Sequence, residues 1–459
     1  MTTNQKISLS FFGGTESVTG ANFLITDNGE TKILVDCGLN QGCKVCNDEN
    51  RLDFPYDPKT IDVLFVTHAH LDHIGRIPKL VRDGFKGIIY STPPTKDIAK
   101  LSLVDSLGVM TKEARYDHQP VFYEEKDVKE SMLLWQTLEY HQPITVGEFS
   151  IVLRDAGHIL GSAMVEFTYK GKKFVFTGDL GNSPAPLLKD NENITDADYL
   201  IMESVYGDRN HEHRNERQHK LKQVIKDTVS AGGVLMVPAF SIERTQELLF
   251  EIENMMEASE IPEVPVFLDS PLAIGVTSIY KKYKKYLNKN ANSLDAAGDG
   301  IFKFPHLRST KETEESKAIN QVKAPKIVIA GSGMSNGGRI IHHEKHYLPD
   351  SKSTLLLAGY QVVGSLGRML QDGAKTVKIL GEIIPVRAKI EKIGGYSAHK
   401  DSDGLLEFVA HSADSLKKVF VVMGEPKSSL FLVQRLRDYL GVMAIAPKAG
   451  TTVEIDIEN

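Results

Sequence analysis

Residues 67–74 read THAHLDHI, follow an apolar run, and contain four residues of types that bind metals: His68, His70, Asp72 and His73. The run IDVLFV predicts a β-strand, and side chains alternate along extended backbone, so His68 and His70 share one face. Asp72 and His73 then fall at the start of a predicted helix and point elsewhere. Histidine and carboxylate ligands suit Zn²⁺, which prefers four nitrogen, sulfur or oxygen ligands. The segment therefore predicts ligands for two neighbouring metal ions rather than a set of surface or core histidines.

Two later strand ends carry further candidate ligands. In RDAGHILGS, His158 follows a predicted strand and a glycine, and in FVFTGDLGN, Asp179 follows another strand. A carboxylate at Asp179 could bridge both metal ions. Asp36, which ends the strand TKILVDCG, is predicted to orient a ligand histidine through a hydrogen bond. Taken singly, each could be an ordinary turn residue, so their interpretation depends on residues 67–74.

The composition predicts a globular chain with more than one domain. Its 459 residues exceed what one hydrophobic core usually serves. The formal charge of −6 excludes a uniformly basic chain but allows a local basic groove. No apolar run reaches the roughly 18 residues that a membrane span needs, so we expect no membrane partner and a cytoplasmic location. Three cysteines, Cys37, Cys43 and Cys46, are too few for a disulfide framework, and incidental thiols are favoured over a metal or redox site.

The pattern of apolar runs predicts one domain interrupted by another. Short β-type runs with tight turns dominate the first part of the chain, and strands alternate with helices from about residue 207. Such alternation at crossover spacing is typical of a parallel α/β sheet. Short strands and one helix return beyond residue 390. We expect a first domain of residues 1–206 that is completed by residues 391–459, with residues 207–390 inserted. A helix is predicted over about 124–138.

Four motifs resemble those of the metallo-β-lactamase superfamily of dinuclear hydrolases: LVDCG, HAHLDH, GHILGS and TGDLG. Within the predicted insert and its flanks, MESVYGDR, LDSPLA, GSGMSNGGR, AGYQVVGSLGR and GYSAH resemble the β-CASP nucleases, over most of the chain. The resemblance implies an α/β fold, a four-layer αββα sandwich with an inserted parallel α/β domain. It also implies two Zn²⁺ ions per chain, bound by His68, His70, Asp72, His73, His158 and Asp179.

The resemblance further implies a ribonuclease that hydrolyses the phosphodiester bonds of single-stranded RNA with a metal-activated hydroxide. Asp72 and Asp179 would serve the catalytic metals. Glu203 and His399 match the family's acid pair, in which the histidine assists the leaving group while the carboxylate keeps it charged. Endonucleolytic cleavage is favoured, with 5′-exonucleolytic action as a second option. A homodimer is expected only by analogy with bacterial relatives.

Candidate phosphate ligands lie in the predicted insert. GSGMSNGGR is a glycine-rich turn that enters a helix, so Ser332 and Gly333 could cradle a phosphate with backbone N–H groups. Arg244, Arg339 and Arg368 lie near helix starts and could fork onto phosphate oxygens, although each could equally be a structural arginine. The run YKKYKKYLNK, residues 280–289, is interpreted as a solvated basic helix face in preference to a single-strand contact.

Met423 departs from the family pattern. In VVMGEPKSS it occupies the position where the family usually has a histidine that completes the second zinc site. A thioether is a soft, weak ligand for Zn²⁺, so the second site is expected to be weaker. An apolar residue at this position also resembles the DNA-directed β-CASP branch. Two alternatives therefore stay open: a DNA-directed nuclease, and a non-catalytic RNA-binding scaffold with an impaired second metal site.

Overall fold

The computed structural model describes residues 5–41, 48–211, 214–296, 300–359, 361 and 364–457. The contacts of the chain divide it into two compact units. Unit 1 comprises Met1–Ala185, Asp190–Asn210 and His399–Asn459, and unit 2 comprises Pro186–Lys189 and His211–Ala398. Unit 1 is therefore assembled from segments that precede and follow most of unit 2 along the chain.

The described residues form 22 β-strands, which are, in chain order, β1 (Gln5–Gly13), β2 (Asn22–Asp27), β3 (Thr31–Val35), β4 (Val63–Phe65), β5 (Ile88–Ser91), β6 (Trp135–Thr137), β7 (Ile144–Val146), β8 (Phe149–Asp155), β9 (Ala163–Tyr169), β10 (Lys172–Phe176), β11 (Tyr199–Met202), β12 (Val234–Pro238), β13 (Val266–Asp269), β14 (Leu307–Ser309), β15 (Lys326–Ala330), β16 (Thr354–Leu357), β17 (Thr376–Ile379), β18 (Glu382–Pro385), β19 (Lys389–Lys392), β20 (Lys418–Val421), β21 (Ala444–Ile445) and β22 (Thr451–Ile457).

The same residues form 14 α-helices, which are α1 (Asp48–Arg51), α2 (Leu71–Ile74), α3 (Ile77–Arg82), α4 (Pro93–Asp117), α5 (Glu125–Leu134), α6 (Arg214–Ala231), α7 (Arg244–Glu257), α8 (Pro271–Lys282), α9 (Lys289–Ala296), α10 (Thr313–Ala318), α11 (Ile340–Tyr347), α12 (Leu366–Gln371), α13 (Ser402–Ala410) and α14 (Pro426–Leu440).

Unit 1 contains two seven-stranded sheets. The first has the order β22-β1-β2-β3-β4-β5-β6 and the second the order β21-β20-β11-β10-β9-β8-β7. In the second sheet, β20 pairs in parallel with β11, although unit 2 separates them along the chain. In the first sheet, β22 pairs antiparallel with β1. The last strands of the described chain thus complete both sheets of unit 1.

The two sheets pack face to face around one apolar core. Alternation in β8 turns Phe149, Ile151 and Leu153 inward, as period-two strands with one buried face require. These side chains belong to one buried cluster with Leu9 and Phe65 of the first sheet. On the other face of the second sheet, a separate buried cluster is completed by apolar side chains of α13 and α14, and α4 and α5 contact β6 and β5 of the first sheet. The predicted four-layer αββα sandwich is confirmed.

Unit 2 is built on a six-stranded sheet with the order β14-β13-β15-β12-β16-β19. All its pairings are parallel. β12 and β15 are buried at every position, which is typical of a parallel sheet covered by helices on both faces. β17 and β18 form a separate antiparallel hairpin. The predicted inserted parallel α/β domain is confirmed in its fold class.

Two local expectations differ from the structure. The helix predicted over 124–138 ends at Leu134, because Trp135–Thr137 forms β6, which pairs in parallel with β5. The insert was predicted to end at residue 390, whereas β19, which runs to Lys392, pairs with β16 in the unit 2 sheet, and unit 2 runs to Ala398. In both cases a short strand is defined by its pairing with a segment distant along the chain, and the local sequence pattern does not predict such a pairing.

A buried carboxyl group supports the glycine-rich turn of unit 2. Glu344 on α11 is fully buried, and the hydroxyl of Ser335 lies 2.5 Å from one of its carboxyl oxygens. Burial raises the pKa of Glu344 to about 8 from its ordinary value of 4.5. The folded chain therefore retains a proton on this group where the unfolded chain has released it.

This proton makes stability depend on pH. Between pH 4.5 and about 8 the folded state binds more protons than the unfolded state at Glu344, so its contribution to stability falls as the pH rises through that window. The slope reaches at most about 1.4 kcal/mol per pH unit. Glu344→Gln should remove this decline, measured by chemical unfolding at pH 5, 6.5 and 8. The exposed Glu257→Gln is the matched control. Equal pH slopes in wild type and Glu344→Gln would contradict the prediction.

Candidate metal centre

The segment after β4 delivers three histidines to one end of the unit 1 sandwich. Beyond Phe65 the backbone stays non-helical to His70, and α2 then begins at Leu71. His68 and His73 are completely buried. The Nε2 atom of His68 lies 3.1 Å from Nδ1 of His70, so these two ring nitrogens face a common point. The predicted sharing of one face by His68 and His70 therefore matches the geometry.

Two turns of the second sheet bring His158 and Asp179 to the same point. Nε2 of His158 lies 3.2 Å from Nδ1 of His70. Oδ2 of Asp179 lies 3.4 Å from Nε2 of His68 and 3.5 Å from Nε2 of His158. One atom from each of the four side chains lies within 4.8 Å of the other three. Three imidazoles and a carboxylate at this spacing are a donor set that suits a four-coordinate metal ion.

The other oxygen of Asp179 faces a second group. Oδ1 lies 3.4 Å from Nε2 of His73, and that nitrogen lies 4.0 Å from Oδ2 of Asp72. Oδ1 of Asp179 and Nε2 of His73 are buried and have no hydrogen-bond partner among the described residues. Buried polar atoms are rarely left unpaired, and a bound ion is one reason for it. The residues therefore fit a second cation beside the first, with Asp179 between them.

Asp36 orients His73 by a hydrogen bond to the ring nitrogen that does not face Asp179. Its Oδ2 lies 2.7 Å from Nδ1 of His73, which leaves Nε2 of the ring directed at Asp179. Thr67 in turn holds Asp36, because its backbone N–H and its hydroxyl each donate to the carboxylate at 2.8 Å. Thr67 was not identified from the sequence, and its place directly before His68 is the only signal that could have pointed to it.

Glycines allow the turns to approach each other closely. Gly178 precedes Asp179 and has a φ of +53°, and a Cβ there would lie 2.7 Å from the Cβ of Thr67. A Cβ on Gly181 would lie 2.0 Å from the carbonyl oxygen of Gly157. A side chain at either position would push Asp179 or His158 away from the centre.

Burial and charge set the protonation of the ligand candidates. Burial lowers the pKa of His68 well below its usual value and that of His70 to about 3, so both imidazoles are neutral, as metal binding requires. Burial also lowers the pKa of His73, but the carboxylates of Asp179 and Asp36 outweigh it and hold that pKa well above its usual value. Burial raises the pKa of Asp72 to about 6.

His399 and Glu203 form a pair beside Asp179. Glu203 follows β11, is completely buried, and accepts a hydrogen bond of 2.6 Å from the backbone N–H of Leu180. Nδ1 of His399 lies 3.2 Å from Oε2 of Glu203 and 3.8 Å from Oδ2 of Asp179. Burial lowers the pKa of His399, but Glu203 and Asp179 outweigh it and raise that pKa to about 9. The imidazole is therefore protonated at neutral pH.

Met423 lies at the end of β20 with 2% of its surface exposed. Its backbone has a φ of +48°, and its N–H donates to the carbonyl oxygen of Gly14 at 2.6 Å. Its side chain lines the same small cavity as His73, Asp36 and Thr67. The position at which the resemblance expects a histidine thus borders the same small cavity as His73.

The arginines predicted to contact phosphate lie in unit 2, and each has an internal partner. Arg244 is buried and donates to the carbonyl oxygen of Ala358 at 3.0 Å. Arg339 donates to Oδ1 of Asp269 at 2.7 Å. Arg368 pairs with Asp372 at 2.9 Å. These partners match the structural alternative for each arginine, and the phosphate role stays a prediction.

The glycine-rich turn is also held by internal hydrogen bonds. The hydroxyl of Ser332 accepts from the backbone N–H of Asn336 at 3.1 Å, and the carbonyl oxygen of Gly333 accepts from the side chain of Gln361 at 3.1 Å. Phosphate binding at this turn stays a prediction.

The cysteines do not form a described site. Cys37 is completely buried, and burial raises the pKa of its thiol to about 12, so it carries no reactive thiolate. Cys43 and Cys46 lie outside the described residues.

Comparison with known proteins fixes the family. A ribonuclease of Thermus thermophilus, TTHA0252, is 36% identical to this chain over 92% of the chain and 94% of its own length. The chain belongs to the β-CASP family of the metallo-β-lactamase superfamily. Models of three families match it: the metallo-β-lactamase superfamily at residues 18–222, the Beta-Casp domain at 245–370, and the Zn-dependent metallo-hydrolase RNA specificity domain at 383–447.

Two further relatives and one solved structure are similar to this β-CASP chain. An RNase J-like protein of Methanocaldococcus jannaschii is 32% identical over 98% of the chain and its whole length. The transcription termination factor FttA of Methanosarcina mazei is 31% identical over 94% of the chain and 68% of its own length. A crystal structure of a protein of unknown function from Enterococcus faecalis V583 shares the fold, with a TM-score of 0.56 and 14% identity over 98% of the chain and all of that protein.

These findings confirm that the β-CASP chain is a metal-dependent hydrolase, as the sequence motifs predicted. Among the described residues, none of the helices combines the length and the apolar character that a bilayer span requires.

Removing the charge of Asp36 should weaken metal binding. In Asp36→Asn the amide would no longer favour a proton on Nδ1 of His73, so Nε2 of that ring becomes a poorer metal ligand. Because hydrogen-bond partners of metal ligands typically change metal affinity by about 10–100-fold, we expect zinc affinity to fall by that factor. The measurement is competition for zinc against a chromogenic chelator. The exposed Asp53→Asn serves as the control. Unchanged zinc affinity in Asp36→Asn would show that this carboxylate does not tune a metal ligand.

Proposed function

We propose that the chain is a zinc-dependent ribonuclease that hydrolyses phosphodiester bonds of single-stranded RNA, favouring endonucleolytic cleavage. One observation carries the proposal: the two oxygens of the buried Asp179 carboxylate face different histidines, His68 and His158 on one side and His73 on the other. A shared carboxylate between two sets of ligands is the arrangement that a two-metal hydrolase needs. The residue types are those that Zn²⁺ prefers over Mg²⁺, which takes mainly oxygen ligands.

Two zinc ions are assigned to these ligands. His68, His70, His158 and Asp179 would hold the first, and Asp72, His73 and Asp179 the second. When bound, zinc supplies an activated water and a positive charge against the phosphate oxygens. The neutral imidazoles of His68 and His70 leave their lone pairs free for the ion. Asp179 would take part in both positions, because its two oxygens face different ligand atoms.

His399 is assigned to the leaving group. Its Nδ1 faces Glu203, so the protonated ring presents its Nε2–H away from that carboxylate. Glu203 cannot move toward solvent, because it is completely buried and bonded to the N–H of Leu180. The pair thus keeps a proton ready for the departing oxygen of the broken phosphodiester bond. If water attacks phosphorus, the P–O3′ bond breaks and His399 gives its proton to the departing 3′ oxygen, the products carry a 5′-phosphate and a 3′-hydroxyl.

RNA is favoured as substrate by two comparisons: relatives that are named ribonucleases, and the match to an RNA specificity domain model. DNA is the second candidate, because Met423 resembles the DNA-directed branch of the family. A non-catalytic scaffold is less well supported, because His68, His70, His158 and Asp179 lie close enough together to hold a metal ion. The homodimer and the cytoplasmic location stay predictions.

Cleavage products test the reaction and the substrate together. A labelled single-stranded RNA and a DNA of the same sequence should be digested side by side with zinc present. We expect RNA fragments with 5′-phosphate and 3′-hydroxyl ends and little cleavage of DNA. His68→Ala should abolish cleavage, whereas the exposed His411→Ala should retain it. Ends with 2′,3′-cyclic phosphate, or preferential digestion of DNA, would contradict the proposal.

The second zinc site is proposed to be the weaker one, because Met423 replaces an imidazole ligand. Met423→His should raise the zinc affinity of the second site by at least about tenfold. Residues that only hydrogen-bond to a metal ligand already change metal affinity by that factor, and a direct imidazole ligand should do at least as much. Histidine tolerates the left-handed backbone found here better than most residues. Zinc bound per chain at limiting zinc is the measurement, and exposed Met443→His is the control. If zinc content does not change in Met423→His, this position does not face the second ion.

A further inference from the structure

The turn that carries His158 connects β8 with β9 in the second sheet of unit 1. Backbone hydrogen bonds to other segments hold both of its ends, at Ala156 with a distance of 2.8 Å and at Ala163 with a distance of 2.7 Å. Within the turn, the hydroxyl of Ser162 accepts from the backbone N–H of His158 at 2.9 Å. The middle of the turn, at Gly161, is held by a different kind of contact.

Two threonine hydroxyls converge on the backbone carbonyl oxygen of Gly161. Oγ1 of Thr92 donates to this oxygen at 2.6 Å, and Oγ1 of Thr95 donates to it at 2.9 Å. A carbonyl oxygen has two lone pairs and each hydroxyl has one proton, so the two bonds satisfy this oxygen completely. Both threonines are completely buried, and Gly161 is buried as well. Removing either hydroxyl would therefore leave a buried lone pair without its partner.

The threonines come from the first sheet, whereas the turn belongs to the second. Thr92 directly follows β5 and is the N-cap of α4, where its Oγ1 also accepts from the backbone N–H of Thr95 at 3.4 Å. That capping bond is longer than usual, whereas the bond to Gly161 is short. Capping also gives no reason for the hydroxyl of Thr95 to bond a turn 66 residues away. The pair thus links the start of α4 to the turn of the other sheet.

The turn places the ring of His158 against two other candidate ligands. Nε2 of His158 lies 3.2 Å from Nδ1 of His70 and 3.5 Å from Oδ2 of Asp179. A shift of the turn would therefore change the spacing of three of the four atoms assigned to the first metal ion. Groups that hold a metal ligand in place raise metal affinity, because the ligand is already oriented before the ion binds.

We propose that Thr92 and Thr95 are positioning residues for the first metal ion, which they serve by fixing the turn at Gly161 and thereby the direction of His158. Neither threonine touches the ion or the substrate in this role. The inference rests on the proposed function, which assigns His158 to that ion. It extends the proposed function by naming two hydroxyl groups outside the ligand set on which the geometry of the site depends.

Thr95→Val tests the role, because valine keeps the branched shape of threonine and lacks its hydroxyl. We expect zinc affinity to fall by about tenfold, the lower end of the range for groups that orient a metal ligand. Zinc affinity is measured by competition with a chromogenic chelator, with one equivalent of zinc per chain. Thr92→Val removes the other hydroxyl from the same oxygen and should act in the same direction. Thr95→Ser keeps a hydroxyl and should bind zinc as the wild type does.

Cobalt provides a spectroscopic readout of the same site. The visible absorption of one equivalent of bound Co²⁺ depends on the geometry of its ligands, so Thr95→Val should alter the spectrum and Thr95→Ser should restore it. Urea unfolding in EDTA measures the stability of each variant without metal. Thr111→Val is the matched control, because Thr111 also lies on α4 but bonds the carbonyl oxygen of Leu107 in its own helix at 2.7 Å. It should keep the zinc affinity and the cobalt spectrum of the wild type.

Lower zinc affinity and an altered cobalt spectrum in both valine variants, with recovery in Thr95→Ser, support the proposal. Valine variants that are less stable in EDTA but keep the zinc affinity and the spectrum of the wild type would overturn it, because the threonines then serve folding alone. If Thr95→Val does not fold, Thr92→Val decides by the same criteria. If neither valine variant folds, the threonines are required for folding and the proposal is likewise overturned.

These measurements need no RNA, so they separate this proposal from the proposed function. A chain that binds zinc and shows the variant effects but never cleaves RNA refutes only the proposed function. A ribonuclease whose valine variants bind zinc normally refutes only the positioning role. A wild-type chain that binds neither zinc nor cobalt refutes both.

Discussion

The carboxylate of Asp179 is the point on which the arrangement of unit 1 depends. It is buried, its two oxygens face different groups of side chains, and His399 lies against it as well. Burial raises the pKa of this carboxyl group, but the protonated rings of His73 and His399 oppose burial and help to hold that pKa well below its usual value. A charge so deep in a protein persists only when cations surround it. The histidines, the turn glycines and Asp36 are all arranged around this requirement.

The four imidazoles near Asp179 differ in their protonation state. His68 and His70 are neutral, since burial makes their charged forms costly. His73 and His399 each have a carboxylate on Nδ1, Asp36 for one and Glu203 for the other, and both favour the charged form. Four histidines of one site thus differ in protonation through their partners alone. Cation binding at His73 would displace its proton, whereas His399 would keep one.

Much of this site could be predicted from the sequence, because its ligands end strands and are flanked by glycines. Helix–strand alternation predicted the parallel α/β class of the insert, whereas the four-layer sandwich was implied by the resemblance to the metallo-β-lactamase superfamily. Thr67 could not be predicted, because its role depends on the position of Asp36 across two strands. The partners of Arg244 and Arg339 could not be predicted either, since they come from segments distant along the chain.

The order of strands in unit 1 has a consequence for how the chain matures during synthesis. β20 and β21 extend the second sheet, and β22 covers the edge of the first, yet all three follow unit 2 along the chain. While the ribosome is still translating the insert, β11 and β1 expose unpaired backbone edges of the kind that invite aggregation. Unit 2 draws its whole parallel sheet from contiguous sequence and can fold in that interval. The two sheets of unit 1 cannot be completed until β20, β21 and β22 have been synthesised. His399 therefore joins the candidate metal centre only late in the folding of unit 1.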